Sequence, residues 1–197
     1  KKEGNGKYIY NTGEYYEGQW LDDEMNGKGK MYYKDGNIKY DGNFVNDKFE
    51  GKGKYIYENG NYYEGQWSAD KMNGKGKIYY KNGNIMYDGN FVNDKFEGEG
   101  KYICKNGNYY EGSWLNDLKH GKGIIYYKNG NIKYEGEFIN DKYEGKGKYI
   151  FENGDYYIGH WMNGEKSGEG ILYKSNGDIE NEGYFNNGIY LECCKAF

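Results

Sequence analysis

In "NYYEGQW", Asn61 to Trp67, aromatic and small residues alternate with polar ones. Residues two apart in an extended chain share a face, so Tyr63, Gly65 and Trp67 fall on one side and Glu64 and Gln66 on the other. The segment before it, "GKGKYIY", has the same period, with Gly51, Gly53, Tyr55 and Tyr57 on one parity and Lys52 and Lys54 on the other. A period of two predicts strands, and the Asn59-Gly60 pair between them is a strong short-range hairpin signal. The two aromatic-and-glycine parities are expected on one face of that hairpin. Glycine weakens a strand interior unless a neighbouring group fills the vacated space. The expectation is therefore that an indole or phenyl ring lies over glycines of adjoining strands, burying its area without a second layer. The lysine and glutamate parity reads as a solvated face with weak cross-strand ion pairs.

The unit recurs. "YEGQW" at Tyr16 returns as "YDGNF" at Tyr40, "YEGQW" at Tyr63, "YDGNF" at Tyr87, "YEGSW" at Tyr110, "YEGEF" at Tyr134 and "YIGHW" at Tyr157, and in degenerate form as "NEGYF" at Asn181. A Gly-x-Gly motif keeps step from Gly4 to Gly168, and a turn glycine from Gly13 to Gly177. Gly-x-Gly is read as opening one strand, Asn-Gly or Asp-Gly as turning the chain, and the Tyr-x-Gly segment as returning antiparallel. Tyr16 to Tyr40 spans 24 residues and Tyr40 to Tyr63 spans 23, because the turn glycine precedes the Tyr-x-Gly glycine by six residues in one hairpin and five in the next. Trp and Phe alternate in step, so the true period is a pair of hairpins. The predicted architecture is all-β: one continuous array over 1–197, with a partial hairpin strand at 4–13 and a C-terminal cap at 186–197. The predicted packing residues are Tyr16, Gly18, Trp20, Phe44, Tyr63, Gly65, Trp67, Phe91, Trp114, Phe138 and Trp161.

Composition sharpens this picture. With 27 Tyr, 34 Gly and no Pro, a conventional aliphatic core cannot be assembled, and tyrosine must do the packing. No stretch approaches the roughly 18 to 20 apolar residues of a membrane-spanning helix, and the start carries no signal-like apolar run. The segment is expected to be soluble, and its start at Lys1 suggests a fragment of something longer. A net charge of −4 gives no basic field for nucleic acid or anionic lipid in general. All 27 cationic residues are lysine, so bidentate arginine forks for phosphate are missing. Cys104, Cys193 and Cys194 are too few for a disulfide framework, and reduced cytoplasmic thiols are expected.

Motifs that imitate chemistry mostly dissolve. "DDEMNG" places Asp22, Glu24 and Asn26 at calcium-loop spacing, but the position needing a bidentate glutamate is Tyr33 and no flanking helices are readable. The Gly-x-Gly pairs lack the Gly-Lys-Ser/Thr and the helix of a phosphate loop. The two histidines, His120 and His160, have no recurring Ser or Cys neighbour for nucleophilic catalysis. No catalytic residue, no cofactor and no metal within one subunit are expected, so the chain reads as no enzyme. A structural zinc from Cys104, His120, Cys193 or Cys194 is conceivable only between subunits.

These residues resemble an array of MORN repeats (membrane occupation and recognition nexus), whose pattern Tyr-Glu-Gly-x-Trp, variable loop, Gly-x-Gly is matched by "YEGQWSADKMNGKG" at Tyr63 to Gly76. Phe replaces Trp in alternate copies, and the family's His-Gly-x-Gly survives only at His120. The resemblance implies an elongated, twisted, single-layer antiparallel meander of about eight hairpins, roughly 75 Å for sixteen strands at about 4.8 Å each. It is similar to cytoskeletal scaffold proteins of protozoan parasites. It implies a non-enzymatic scaffold that homodimerises and organises cytoskeletal or membrane-associated assemblies in the cytoplasm, on the cytoskeleton or at the inner face of a membrane. The alternatives are a phosphoinositide-binding peripheral module, for which Lys34, Lys39, Lys81, Lys128 and Lys133 flank the even turns, or the targeting region of a larger enzyme. The predicted dimer contact is the apolar C-terminal end, Ile189, Tyr190, Leu191 and Phe197, with Trp161 and Phe185, which lack further full repeats to cover them.

Overall fold

The structure is a computed structural model that describes residues 1–191. Among these, strands adjacent in sequence are neighbours in one antiparallel, seventeen-stranded, single-layer sheet. The chain packs as two compact units, Lys1–Phe96 and Glu97–Phe197. The first holds β1 (Gly4–Ile9), β2 (Tyr15–Leu21), β3 (Glu24–Tyr32), β4 (Ile38–Val45), β5 (Lys48–Ile56), β6 (Tyr62–Ser68), β7 (Lys71–Tyr79) and β8 (Ile85–Val92). The boundary falls in β9 (Lys95–Ile103). The second continues with β10 (Tyr109–Leu115), β11 (Leu118–Tyr126), β12 (Ile132–Ile139), β13 (Lys142–Ile150), β14 (Tyr156–Met162), β15 (Glu165–Tyr173), β16 (Ile179–Asn186) and β17 (Ile189–Leu191). The seventeenth strand lies in what the sequence presented as a cap.

The face assignment from alternation is correct. Gly51 faces Trp67, Gly53 faces Gly65 and Tyr55 faces Tyr63, while Lys54 faces Glu64 and Lys52 faces Gln66. The indole expected over a glycine of the adjoining strand is found at Trp20 over Gly6, but most of the strand glycines are covered by tyrosine. The tyrosine that begins each motif lies flat along its own strand, over the glycine two residues on and the partnered glycine of the next strand. Tyr63 is 0% exposed. Its hydroxyl donates to the Gln66 carbonyl at 2.9 Å. A Cβ on Gly65 would meet that hydroxyl and would sit 2.6 Å from the Gly76 Cα. Tyr16, Tyr40, Tyr110, Tyr134 and Tyr157 repeat the bond to the carbonyl three residues on, at 2.9 to 3.1 Å. The Trp67 indole instead reaches back one strand and donates to the Gly53 carbonyl at 3.3 Å.

These rings form a relay within each unit. Tyr16 meets Trp20 edge-on at 5.2 Å and Phe44 at 4.9 Å, and Tyr40 meets Phe44 and Trp67 at 5.2 and 5.6 Å. In the second unit Tyr110, Phe138, Tyr134, Trp161, Tyr157 and Phe185 follow in the same order of contacts. Edge-to-face contact suits the ring quadrupoles and adds about 1 kcal/mol per pair beyond burial.

The connections need two corrections. The "variable loop" after each tryptophan or phenylalanine is a two-residue type I′ turn with positive φ at both residues, such as Asp22 (51°) and Asp23 (72°) or Asn46 (49°) and Asp47 (65°). Asn and Asp tolerate that left-handed backbone. From β3 to β15 each such strand therefore begins three residues before its Gly-x-Gly, and Gly-x-Gly lies inside the strand. Its first glycine makes a bulge: between Gly18–Gly29 and Trp20–Met25, Gln19 alone faces Asn26, Gly27 and Lys28. Gly27 has φ +85°, and the Gln19 Oε1 accepts the Lys28 N–H at 2.9 Å. The extra residue of the 24-residue spacing is a second bulge, at Lys39, Met86, Lys133 and Glu180. At the opposite edge, the turn glycine closes a three-residue connection; Gly13 N–H donates to Tyr10 O at 2.9 Å.

The aspartates of the I′ turns tie successive turns together. Asp47 accepts the Met25 N–H on its Oδ1 at 2.7 Å and returns its own N–H to the Met25 carbonyl at 3.1 Å. Asp70 does the same with Phe49, and Asp94 with Met72. Their acidity serves the edge of the sheet, and among the described residues no group of three metal-ligating side chains converges.

Two outcomes are expected. Gly65→Val should lower the melting temperature strongly because Tyr63 has nowhere to go. Glu64→Gln, on the solvated face, should cost under about 0.5 kcal/mol; equal thermal melts for the two variants would contradict the packing. Alkali should unfold the chain. Burial raises the hydroxyl pKa of Tyr16 and Tyr157 from 10.0 to about 12 and raises those of Tyr40, Tyr63, Tyr110 and Tyr134 as well. The folded state favours the neutral phenol, so this contribution is complete below pH 10 and disappears as pH rises through about 12. Circular dichroism should be lost together with the last phase of tyrosinate absorbance in that window; ionisation of every tyrosine near pH 10 with the fold intact would contradict it.

Candidate interaction surfaces

The second face carries the chemistry that remains exposed. Two rows of side chains run across the strands, one on each side of the glycine row. In the first unit one row alternates in charge along the register: Lys7, Glu17, Lys30, Asp41, Lys54, Glu64, Lys77 and Asp88. Its ion pairs are Lys7–Glu17, Lys30–Asp41, Lys54–Glu64 and Lys77–Asp88, at 2.8 to 3.0 Å. The Lys7 hydrogen bond holds the Glu17 carboxyl below its ordinary range.

A feature of this face escaped the sequence reading. The other tyrosine of each odd "YY" points here and stacks on a tyrosine of the next strand: Tyr15 on Tyr32, Tyr62 on Tyr79, Tyr109 on Tyr126 and Tyr156 on Tyr173, with centroids 4.4 to 4.6 Å apart. A lysine caps each pair, at 3.9 Å for Lys7 over Tyr15 and for Lys54 over Tyr62 and at 4.0 Å for Lys101 over Tyr109. Doubled tyrosines at strand spacing, recurring every second hairpin, were the available signal.

The second unit departs from the alternating row. Lys101 still pairs with Glu111 at 2.7 Å, but Ile124 stands opposite Glu111, and Ile158 replaces the glutamate altogether, with Ile171 opposite it. Around Ile158 lies a groove of about 920 Å³ on β13 to β16.

The lysines proposed for lipid separate into two groups. Lys34, Lys81 and Lys128 are exposed at the turns, and their Cβ atoms pack over the turn glycines Gly13, Gly60 and Gly107 of the neighbouring hairpins. Lys39 and Lys133 are the bulge residues and are half-buried. Lys39 pairs with Glu14 at 2.9 Å and lies over Tyr33, and Lys133 lies over Tyr127 and Tyr149. Glu14, Asp35 and Glu58 line the same edge as Lys34, so acidic groups interleave with the lysine there.

The zinc candidates do not converge. Cys104 is exposed at the start of a three-residue turn, and His120 sits in β11 beside the I′ turn at the opposite edge. The His120 Nδ1 is buried without a partner. Cys193 and Cys194 lie outside the described residues, as does Phe197. At the C-terminal end, Trp161 and Phe185 are already covered within the chain, at 7% and 2% exposure; a partner is not required to cover them. Asn181 supplies no ring, and Tyr190 from β17 takes over: its ring lies beside Gly183, packs at 5.4 Å from Phe185, and its hydroxyl donates to the Glu182 carbonyl at 3.1 Å. Ile189 and Leu191 stay exposed.

Among the described residues no helix is long and apolar enough to cross a membrane. The model of the MORN-repeat family matches residues 1–15, 16–38, 40–62, 63–85, 87–109, 110–132, 134–156 and 157–179. No curated protein matches the sequence. Among solved structures, the chain is similar to a protein of unknown function from Bacteroides caccae, at 10% identity over 95% of this chain and 85% of that one. The TM-score is 0.22, and that likeness carries no argument.

Proposed function

The chain belongs to the MORN-repeat family, and from that premise we propose that it is a non-catalytic scaffold, joined as a homodimer through its C-terminal strands, that organises a cytoskeletal or membrane-associated assembly inside the cell. The observation that carries the dimer is β17. Among the described residues it pairs only with β16, and it presents Ile189 at 67% and Leu191 at 46% exposure. An unpaired strand edge with apolar side chains invites another strand, and a two-fold contact closes without forming fibres. The single-layer sheet supports the scaffold role, because burying the rings against their own backbone leaves the second face of each unit open to partners. Light scattering at tens of micromolar should give a dimer for the intact chain and a monomer for the double variant Ile189→Lys/Leu191→Lys, since lysine blocks edge pairing. A monomeric parent, or a variant that still dimerises, removes the proposal.

A second reading, weak attraction to an anionic membrane, is favoured by the exposed tips Lys34, Lys81 and Lys128. Each lysine near such a surface contributes about 1 kcal/mol. Flotation with phosphatidylserine vesicles should fall with added salt and vanish in the triple charge reversal K34E/K81E/K128E; undiminished flotation of that variant removes the lysine tips from the account.

A further inference from the structure

The repeats provide their own control for one position. Lys7, Lys54, Lys101 and Lys148 occupy the same place in successive hairpin pairs, each capping a stacked tyrosine pair. The first three also bond a glutamate directly opposite, Glu17, Glu64 and Glu111, at 2.7 to 2.8 Å. The fourth faces Ile158. Lys148 stands opposite Glu135 on its other side but forms no ion pair among the described residues, and its distance to the Tyr156 ring widens to 4.7 Å. The cation has lost the glutamate on its β14 side at the same place where an aliphatic pair, Ile158 and Ile171, has been put on a charged face, with Ile158 left 44% exposed.

The surroundings give this place a shape and a polarity. Its floor is the backbone of Gly147, Gly159, Gly170 and Gly183, which face one another across β13 to β16. One wall runs Lys148, Ile158, Ile171, Glu182. The other holds Lys146 opposite His160, and Glu169 opposite Tyr184, the latter 55% exposed. The groove is thus cationic at β13, apolar in the middle and anionic at β15 and β16. The walls are two residues apart along each strand, about 7 Å, which is narrower than the roughly 10 Å of an α-helix with its side chains. An extended chain fits that width. From Lys148 to Glu182 is three strand spacings, about 14 Å, or about four residues of extended peptide.

We propose that this groove is the docking site for an extended segment of a partner protein, one with a carboxylate at one end, apolar side chains in the middle and a cation about four residues on. The carboxylate meets Lys148 and Lys146, the apolar residues lie on Ile158, Ile171 and Tyr184, and the cation meets Glu169 and Glu182. The assignment rests on the scaffold reading and names the chemistry of a partner. An anionic membrane is the poorer match, because a plane of negative charge would meet Glu169 and Glu182 as well as the lysines.

Ile158→Glu is the informative variant. It restores the residue present at Glu17, Glu64 and Glu111, and a glutamate facing isoleucine already exists at Glu111 and Ile124, so the fold tolerates it. A displayed library of random dodecapeptides, selected on the intact chain, should enrich the acidic, apolar, basic order. The best enriched peptide, synthesised with a fluorophore, should bind I158E about tenfold more weakly by anisotropy, while I158E keeps the parent's melting temperature and its mass by light scattering. Equal binding to I158E overturns the site, as does selection of no such order. Flotation with phosphatidylserine vesicles that I158E abolishes, without peptide enrichment, overturns it in favour of a membrane. The scaffold reading fails separately: a parent that selects the peptide but is monomeric loses the dimer and keeps the groove, and a dimer that selects nothing loses only the groove.

Discussion

Everything in this sheet depends on a tyrosine lying flat over two glycines, with its hydroxyl on a carbonyl of its own strand. A single-layer sheet has no second layer in which to bury side chains, so it must bury them against its own backbone. Two facing glycines, such as Gly65 and Gly76, remove the Cβ atoms that would hold a ring away. A ring of roughly 150 Å² covered in this way contributes about 4 kcal/mol at about 25 cal/mol per Å². The phenol would then be left with a buried polar atom, and the bond to the carbonyl three residues on resolves that cost. Phenylalanine could supply the ring but not that bond.

The remaining features follow from keeping that arrangement in register. A ring that lies along its strand needs the returning strand to accommodate it, and the positive-φ glycine of Gly-x-Gly supplies the bulge. Asn and Asp at the I′ turns tie each turn to the neighbouring one through side chain and backbone together. The second face carries no structural burden of that kind and is free to vary. In the first unit it is a regular ladder of opposite charges, each exposed and individually weak, whose order is worth more as solubility and register than as stability.

Where the repeat changes, the reason is local. Asn181 lacks a ring, and Tyr190 takes the place over Gly183. The usual partner of the Tyr190 position is the motif tyrosine, as Phe49 stacks on Tyr40 at 3.8 Å and Tyr143 on Tyr134 at 3.8 Å; with that tyrosine gone, Tyr190 is released to cover the glycine itself. Met25 and Met72 become Lys119 and Lys166 in the second unit. Lys119 meets Asp141 at 2.8 Å, whereas the residue matching Asp141 for Lys166 is Gly188, and burial among Phe151, Tyr157 and Phe185 pushes that amine down.

Strand type, hairpin order, the sharing of faces by Tyr63, Gly65 and Trp67, and the pairing of hairpins were all determined by the sequence alone, because alternation and spacing are properties of an extended backbone and do not require knowing what touches what. The tertiary structure decided which ring covers which glycine, since Tyr63 and Trp67 share a parity and only packing sends one forward and the other back. It also decided that the segments between Trp and Gly-x-Gly are two-residue turns rather than loops, because left-handed Asn and Asp are invisible until the strands on either side are paired. The tyrosine stacks and the groove at Ile158 belong to the same class: each joins residues of different strands, and which of them meet is set by the bulges that shift one strand against the next.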